Sequence, residues 1–299
     1  MTNQPVSVAP DVLDAVSRGE HHSPHSVLGG HPDDGAVTVR TLRHLADEVT
    51  VLTPEGEFPA THEHNGVWTA VLPGDTVPDY RLKVRYGDAE STVDDPYRFL
   101  PFVGELDQHL FSEGRLEELW RTMGAHYLTV DGPMGEVKGV AFTVWAPNAR
   151  AVRVVGDFNY WDGTGSAMRS LGSSGIWELF IPDVEPGARY KFEIQGPEGY
   201  WFQKADPMAR STEVPPATAS VITDATYEWT DDKWLEKRAE TNPHKGPMSI
   251  YEMHMGSWKQ GLSYRELADQ VAPYLKEMGY THVELMPAME HPFGGSWGY

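Results

Sequence analysis

The strongest constraint in this chain is that it repeats itself. Gly66-Val67-Trp68 followed by Pro73 returns as Gly175-Ile176-Trp177 followed by Pro182, an offset of 109 between positions 66 and 175. Tyr80-Arg81-Leu82-Lys83-Val84 returns as Tyr190-Lys191-Phe192-Glu193-Ile194, Asp95-Pro96 as Asp206-Pro207, and Ala46 to Val51 resembles Ala149 to Val154. Ordered self-similarity of this kind signals a duplicated structural unit. Each copy is β-rich: Val37-Thr38-Val39, Phe142-Thr143-Val144-Trp145, Val152-Arg153-Val154 and Trp177-Glu178-Leu179-Phe180-Ile181 cluster or alternate β-branched and aromatic residues between Gly, Pro and Asp. A unit of about 100 residues suits a small antiparallel sandwich of immunoglobulin-like kind. Between the copies, Leu116, Leu119, Trp120 and Met123 fall at helical spacing within 101–138, with Gly124 placed to end the helix.

The copies differ in one place. Where the first has the plain turn Thr53-Pro54-Glu55-Gly56, the second has the longer Gly156-Asp157-Phe158-Asn159-Tyr160-Trp161-Asp162-Gly163. Loops on rigid sandwiches commonly carry ligand contacts. Phe158 is expected to tuck under the sheet edge and Trp161, among polar neighbours, to be exposed.

These residues carry a resemblance. Phe142-Thr143-Val144-Trp145-Ala146-Pro147-Asn148-Ala149, the Phe158-Asn159-Tyr160-Trp161 loop and Tyr190-Lys191-Phe192 resemble the glycogen-binding sandwich that precedes the catalytic domain in branching and debranching enzymes of the α-amylase superfamily. The resemblance implies that Trp161 stacks on a sugar face, assisted by Lys191 and Trp201, and that a further Asn of that module corresponds to Ser220. The chemistry agrees, since a pyranose presents apolar C–H faces that an indole covers and hydroxyls that an ammonium group donates to.

A third segment follows the polar stretch 224–246. Ser249 to His254 reads as a strand, Ser263-Tyr264-Arg265-Glu266 as a capping box, and Leu267, Val271, Tyr274, Leu275 and Met278 as one apolar helical stripe closed by Gly279. Thr281 to Pro287 reads as a second strand, so this end is a parallel βαβ unit. Its wording, Ile250-Tyr251-Glu252-Met253-His254-Met255-Gly256-Ser257-Trp258 and Thr281 through Ser296-Trp297-Gly298-Tyr299, resembles the opening of the barrel in 1,4-α-glucan (glycogen) branching enzymes. His21-His22-Ser23-Pro24-His25-Ser26-Val27-Leu28-Gly29-Gly30-His31-Pro32 resembles the extra N-terminal module of the long bacterial members. A complete (β/α)₈ barrel takes about 250 residues, so residues 248–299 hold only its first βαβ unit. The expected architecture is therefore mainly β: an N-terminal sandwich at 1–105, a glycogen-binding sandwich at 106–228, and a linker with the start of a truncated barrel at 229–299.

The resemblance implies a glycosyltransferase of glycogen biosynthesis that cuts an α-1,4 linkage and remakes it as an α-1,6 branch. Retention requires a carboxylate nucleophile about 5–5.5 Å from an acid/base carboxyl. In the family these follow later barrel strands, so no catalytic residue is assigned here and the chain alone is expected to be inactive. Glu252 and Glu284 lie inside strands and are poor substitutes. Tyr299 resembles the family's sugar-stacking residue at the cleavage subsite. Two other readings remain: a non-catalytic glucan-binding module, and a debranching or trehalose-releasing relative.

Composition narrows the partners. With 24 basic against 44 acidic residues the formal charge is −20, which disfavours nucleic acid and anionic membranes. The absence of cysteine excludes disulfides, thiolate metal sites and cysteine nucleophiles, and fits a cytoplasmic protein. His21, His22, His25 and His31 lack a suitably spaced acidic partner for a metal, and Gly163-Thr164-Gly165 lacks the third glycine of a nucleotide loop. The expected partner is an α-glucan, glycogen or maltooligosaccharides, bound by a monomer with no cofactor or metal.

Overall fold

Alternation in the first copy becomes a pair of antiparallel sheets. The computed structural model describes residues 4–224, 226–289 and 295–296, and the chain divides into two compact units, Met1–Asp224 and Ala225–Tyr299. After helix α1 (Pro10–Ser17), strands β1 (Gly29–Asp33), β2 (Ala36–Leu42), β3 (Glu48–Thr53), β4 (Gly56–Pro59), β5 (Thr61–His64), β6 (Val67–Pro73), β7 (Arg81–Tyr86) and β8 (Ala89–Val93) follow. They form sheets ordered β1-β2-β6-β5 and β4-β3-β7-β8. Val37, Val39, Leu72, Val49, Val51, Leu82 and Val84 from the two sheets share one buried cluster.

The second copy reuses this plan. Helix α2 (Glu105–Ser112) leads to β9 (Gly124–Val130), β10 (Val137–Trp145), β11 (Ala151–Gly156), β12 (Arg169–Ser170), β13 (Ile176–Pro182), β14 (Arg189–Gln195), β15 (Trp201–Lys204) and β16 (Ser220–Val221). The sheets run β12-β13-β10-β9 and β11-β14-β15, with β16 on the end of β14. Strand for strand, β10, β11, β13 and β14 repeat β2, β3, β6 and β7.

The repeat extends to buried polar chemistry. Tyr80 donates to Asp95 Oδ2 at 2.8 Å and Tyr190 to Asp206 Oδ2 at 2.5 Å. In each copy the other carboxylate oxygen accepts a backbone N–H two residues on, from Tyr97 at 3.2 Å and Met208 at 2.8 Å. Trp68 and Trp177 donate their indole N–H to the carbonyls of Arg43 and Ala146, at 3.1 and 3.0 Å. Burial raises the pKa of both tyrosines and both aspartates, so each pair depends on its hydrogen bond.

Between the copies the helix does not lie over 116–123. Gly114, at φ +68, ends α2: its N–H reaches Phe111 O and the Arg115 N–H reaches Leu110 O, a Schellman closure. Leu119–Arg121 makes a single 3₁₀ turn, and Gly124 opens β9 opposite Thr143 instead of capping a helix. The connection is tied down by Glu178, whose fully buried carboxylate accepts from Arg169, Phe102 N–H and Val103 N–H at 2.7–2.9 Å.

The second unit holds α3 (Asp232–Glu240), β17 (Ile250–Met253), α4 (Met255–Trp258), α5 (Tyr264–Met278) and β18 (His282–Leu285), with β17 and β18 parallel. The βαβ unit is thus present. Ser263 and Glu266 close the capping box, and Gly279 takes the left-handed conformation at φ +78. Met253, Leu267 and Val271 form its small core, while Met278 is exposed. Glu252 and Glu284 are exposed register partners on β17 and β18. Among the described residues no helix is long and apolar enough to cross a membrane.

Candidate functional site

With Tyr190 and Phe192 turned into the core, alternation directs Arg189, Lys191, Glu193 and Gln195 of β14 to the outer face of the β11-β14-β15 sheet. At one end Arg189 grips Asp157 bidentately, both contacts at 2.9 Å, and reaches Glu213 at 3.3 Å. Asp157 Oδ1 accepts the Trp161 indole N–H at 3.2 Å. Hydrogen bonding from Arg189 holds the Asp157 carboxyl below its ordinary pKa, so it stays an acceptor.

The loop bearing Trp161 is pinned from within. Asn159 accepts from Gly156 N–H and donates to Val154 O, both at 2.9 Å, and Trp161 N–H bonds Gly156 O at 3.0 Å. Tyr160 and Trp161 are consecutive non-glycine residues at φ +54 and +64. Such backbone costs about 1–2 kcal/mol per residue and persists only where surrounding bonds enforce it. The loop leaves Tyr160 95% exposed, whereas Trp161 is half-buried and not in open solvent as expected. Phe158 does tuck inward, 5.7 Å from the Phe142 ring.

Lys191 stands across from Val155 and donates to Thr218 Oγ1 at 2.7 Å. Trp201 stands across from Gln195, and the Arg153 guanidinium lies 3.8 Å from its ring centroid. Lys191 and Gln195 are separated by about 13 Å along the strand at ordinary rise. Lys191 and Trp201 therefore share one face, spread along it, and the Trp161 loop is joined to the Arg189 end of β14 through Asp157. Ser220 does not join them: it is fully buried and its Oγ accepts the Asp206 N–H at 2.9 Å, serving the Tyr190–Asp206 pair. The hydroxyl that meets Lys191 is Thr218, two residues earlier in the irregular segment before β16, which sequence reasoning missed because no strand or motif spacing marks it. Arg189 and Arg153 were also missed, although both alternate outward beside carboxylates.

Elsewhere, His25 is drawn in against Tyr97, with ring centroids 5.1 Å apart, and His31 Nε2 approaches Leu28 O at 3.2 Å. Tyr299 lies outside the described residues, as do Glu290-His291-Pro292-Phe293-Gly294 and Trp297-Gly298.

Comparison with known proteins accords with this layout. Residues 9–97 match the alpha-1,4-glucan branching enzyme GlgB N-terminal domain, and residues 122–209 match carbohydrate-binding module 48, the isoamylase N-terminal domain. The second match contains Trp161, Lys191 and Trp201. A 1,4-alpha-glucan branching enzyme GlgB of Thermobifida fusca (strain YX) is 59% identical over 291 residues, covering 96% of this chain and 39% of the relative. Its namesake from Rhodococcus jostii (strain RHA1) is 53% identical over 298 residues, covering 99% and 41%. That from Frankia casuarinae is 54% identical over 293 residues, covering 97% and 36%. The chain spans about two fifths of the length of the curated relatives it matches. It belongs to the 1,4-α-glucan branching enzyme family, of which it carries the N-terminal domain followed by a carbohydrate-binding module 48.

Proposed function

We propose that this chain is the glucan-holding front of a branching enzyme, and that the outer face of β11-β14-β15 receives an α-1,4-glucan. In this reading the indoles of Trp161 and Trp201 cover apolar sugar faces, while Lys191 and Thr218 satisfy hydroxyls between them. The observation that carries it is the outer face itself: the Trp201 indole and the Lys191 ammonium group lie along one sheet, and the Trp161 indole N–H is fastened to Asp157, which Arg189 of the same strand grips. A neutral polyol makes no demand on the net charge of −20, so binding should vary little with salt. The separation along β14 favours a chain of several glucose units over a single glucose.

The parent protein, in this reading, cuts an α-1,4 linkage with retention and transfers the released chain to a glucose 6-hydroxyl. That chemistry belongs to a paired nucleophile and acid/base carboxyl, a role that the exposed neighbours Glu252 and Glu284 do not fill. Residues 1–105 and 106–228 act as two sandwich modules, 229–299 opens the catalytic barrel, and Tyr299 supplies a stacking surface at its cleavage subsite. The molecule works as a cytoplasmic monomer without a cofactor.

Titration calorimetry of the 299-residue chain with maltoheptaose tests the glucan site. Trp161→Ala and Trp201→Ala should each weaken binding about tenfold or more, since one base-sized stacking contact contributes about 1–3 kcal/mol. Wild-type affinity in both variants would exclude this face.

A further inference from the structure

Arg153 connects the two ends of the first unit. Strand β11 reads Val152-Arg153-Val154, with both valines in the core and Arg153 directed to the outer face, yet its side chain is only 12% exposed. Its Nε donates to Gly19 O at 2.9 Å, Nη2 donates to Arg18 O, and Nη1 reaches Glu193 at 3.2 Å. The remaining face of the guanidinium lies against Trp201, 3.8 Å from the ring centroid. Arg18 and Gly19 follow the C-terminus of α1, where free carbonyls and the helix dipole both favour a cation.

Gly19 makes this approach possible. It stands at φ +62, and a Cβ placed there would lie 2.7 Å from Thr164 O and 3.0 Å from Arg153 Nε. The turn after α1 therefore presses on two things at once: the Trp161 loop through Thr164, and the cation beneath Trp201. Gly163 sits equally close on the other side, where an added Cβ would meet Arg153 Cβ at 2.8 Å and Val155 at 2.9 Å.

We propose that Arg153 is a positioning residue: gripped by the Arg18 and Gly19 carbonyls, it presents the Trp201 indole to a sugar, making the segment after α1 a working part of the glucan site. Its guanidinium occupies one face of the ring and immobilises it, leaving the opposite face for the ligand. A stacked, desolvated cation contributes about 0.5–2 kcal/mol, and an indole already oriented loses less freedom on binding. The proposal rests on Trp201 being a sugar platform, and its test separates the two claims.

The chain is labelled with 5-fluorotryptophan and the Trp201 fluorine resonance is assigned by its loss in Trp201→Phe. Arg153→Met should shift or broaden that resonance, leave those of the buried Trp68 and Trp177 unmoved, and weaken maltoheptaose binding about threefold to tenfold. Gly19→Ala should act in the same direction from the far side of the contact, and Arg153→Lys should restore part of the affinity. In the Trp201→Ala background Arg153→Met should cost nothing further, because the cycle isolates what passes through the ring. An unmoved Trp201 resonance, or an undiminished effect of Arg153→Met in that background, would overturn the proposal. Full affinity in Trp201→Ala would instead remove the sugar-platform reading, while the fluorine signal still reports whether Arg153 sets the ring.

Discussion

Acid sensitivity of the N-terminal sandwich should trace to His25. The ring sits in the turn Pro24–Ser26, edge-on to Tyr97, with both nitrogens buried and, among the described residues, without a hydrogen-bond partner. Burial, reinforced by the Arg169 guanidinium and His31, pushes its pKa down to about 2. An unfolded histidine titrates near 6.5, so the unfolded chain takes up a proton that the folded one refuses. The stability this neutral ring contributes is complete above about pH 6.5 and is lost as pH falls towards 2. Between pH 7 and pH 5 the loss is about 2 kcal/mol, at roughly 1.4 kcal/mol per pH unit once the unfolded residue is charged. His25→Phe keeps a ring against Tyr97 and removes the titration. Urea unfolding of both proteins at pH 7, 6 and 5 should show the variant gaining about 2 kcal/mol on the wild type across that range. Burial also lowers the pKa of His21 and His126, but these groups are common to both proteins and cancel in the difference. Parallel stability curves would refute the account, because a ring that admits a proton in the fold cannot produce the divergence.

Two further perturbations address the shared architecture. Tyr80→Phe and Tyr190→Phe should each destabilise by about 1–3 kcal/mol in chemical denaturation, since each leaves a buried aspartate short of a donor; a large cost in one copy and none in the other would break the equivalence. Glu178→Ala should cost about 3–5 kcal/mol, because it leaves the buried Arg169 charge without its carboxylate, with only the Phe99 carbonyl still accepting from it, and two backbone N–H groups of the connection without their acceptor. Calorimetric unfolding within about 1 kcal/mol of wild type would show that the connection is held by other contacts.

Much of the fold is written locally. The capping box at Ser263 and Glu266 and the left-handed Gly279 were legible because caps depend on residues three or four apart. The repeat was legible too, since Trp68 with Trp177, Tyr80 with Tyr190, and Asp95 with Asp206 keep their order in both copies. The helix expected over 116–123 failed where local signals competed: a run of suitable apolar spacing was present, but Gly114 had already closed α2 and strand pairing claimed Gly124.

The candidate site divides along the same line. Trp161, Lys191 and Trp201 came from a motif, which marks residue types at set spacings. That Thr218 and not Ser220 meets Lys191 depends on which way β16 and its approach turn, and this is settled by the Asp206 N–H needing a buried acceptor. Arg153 reads in sequence as an ordinary outward cation on an amphipathic strand. Its grip on carbonyls more than 130 residues away exists only once α1 is packed. The sequence by itself determined the duplicated sandwiches, the βαβ unit and the aromatic loop, because periodicity and caps act over a few residues. Only the tertiary structure decided which groups share the face, because register and docking are set by burial summed across the whole unit.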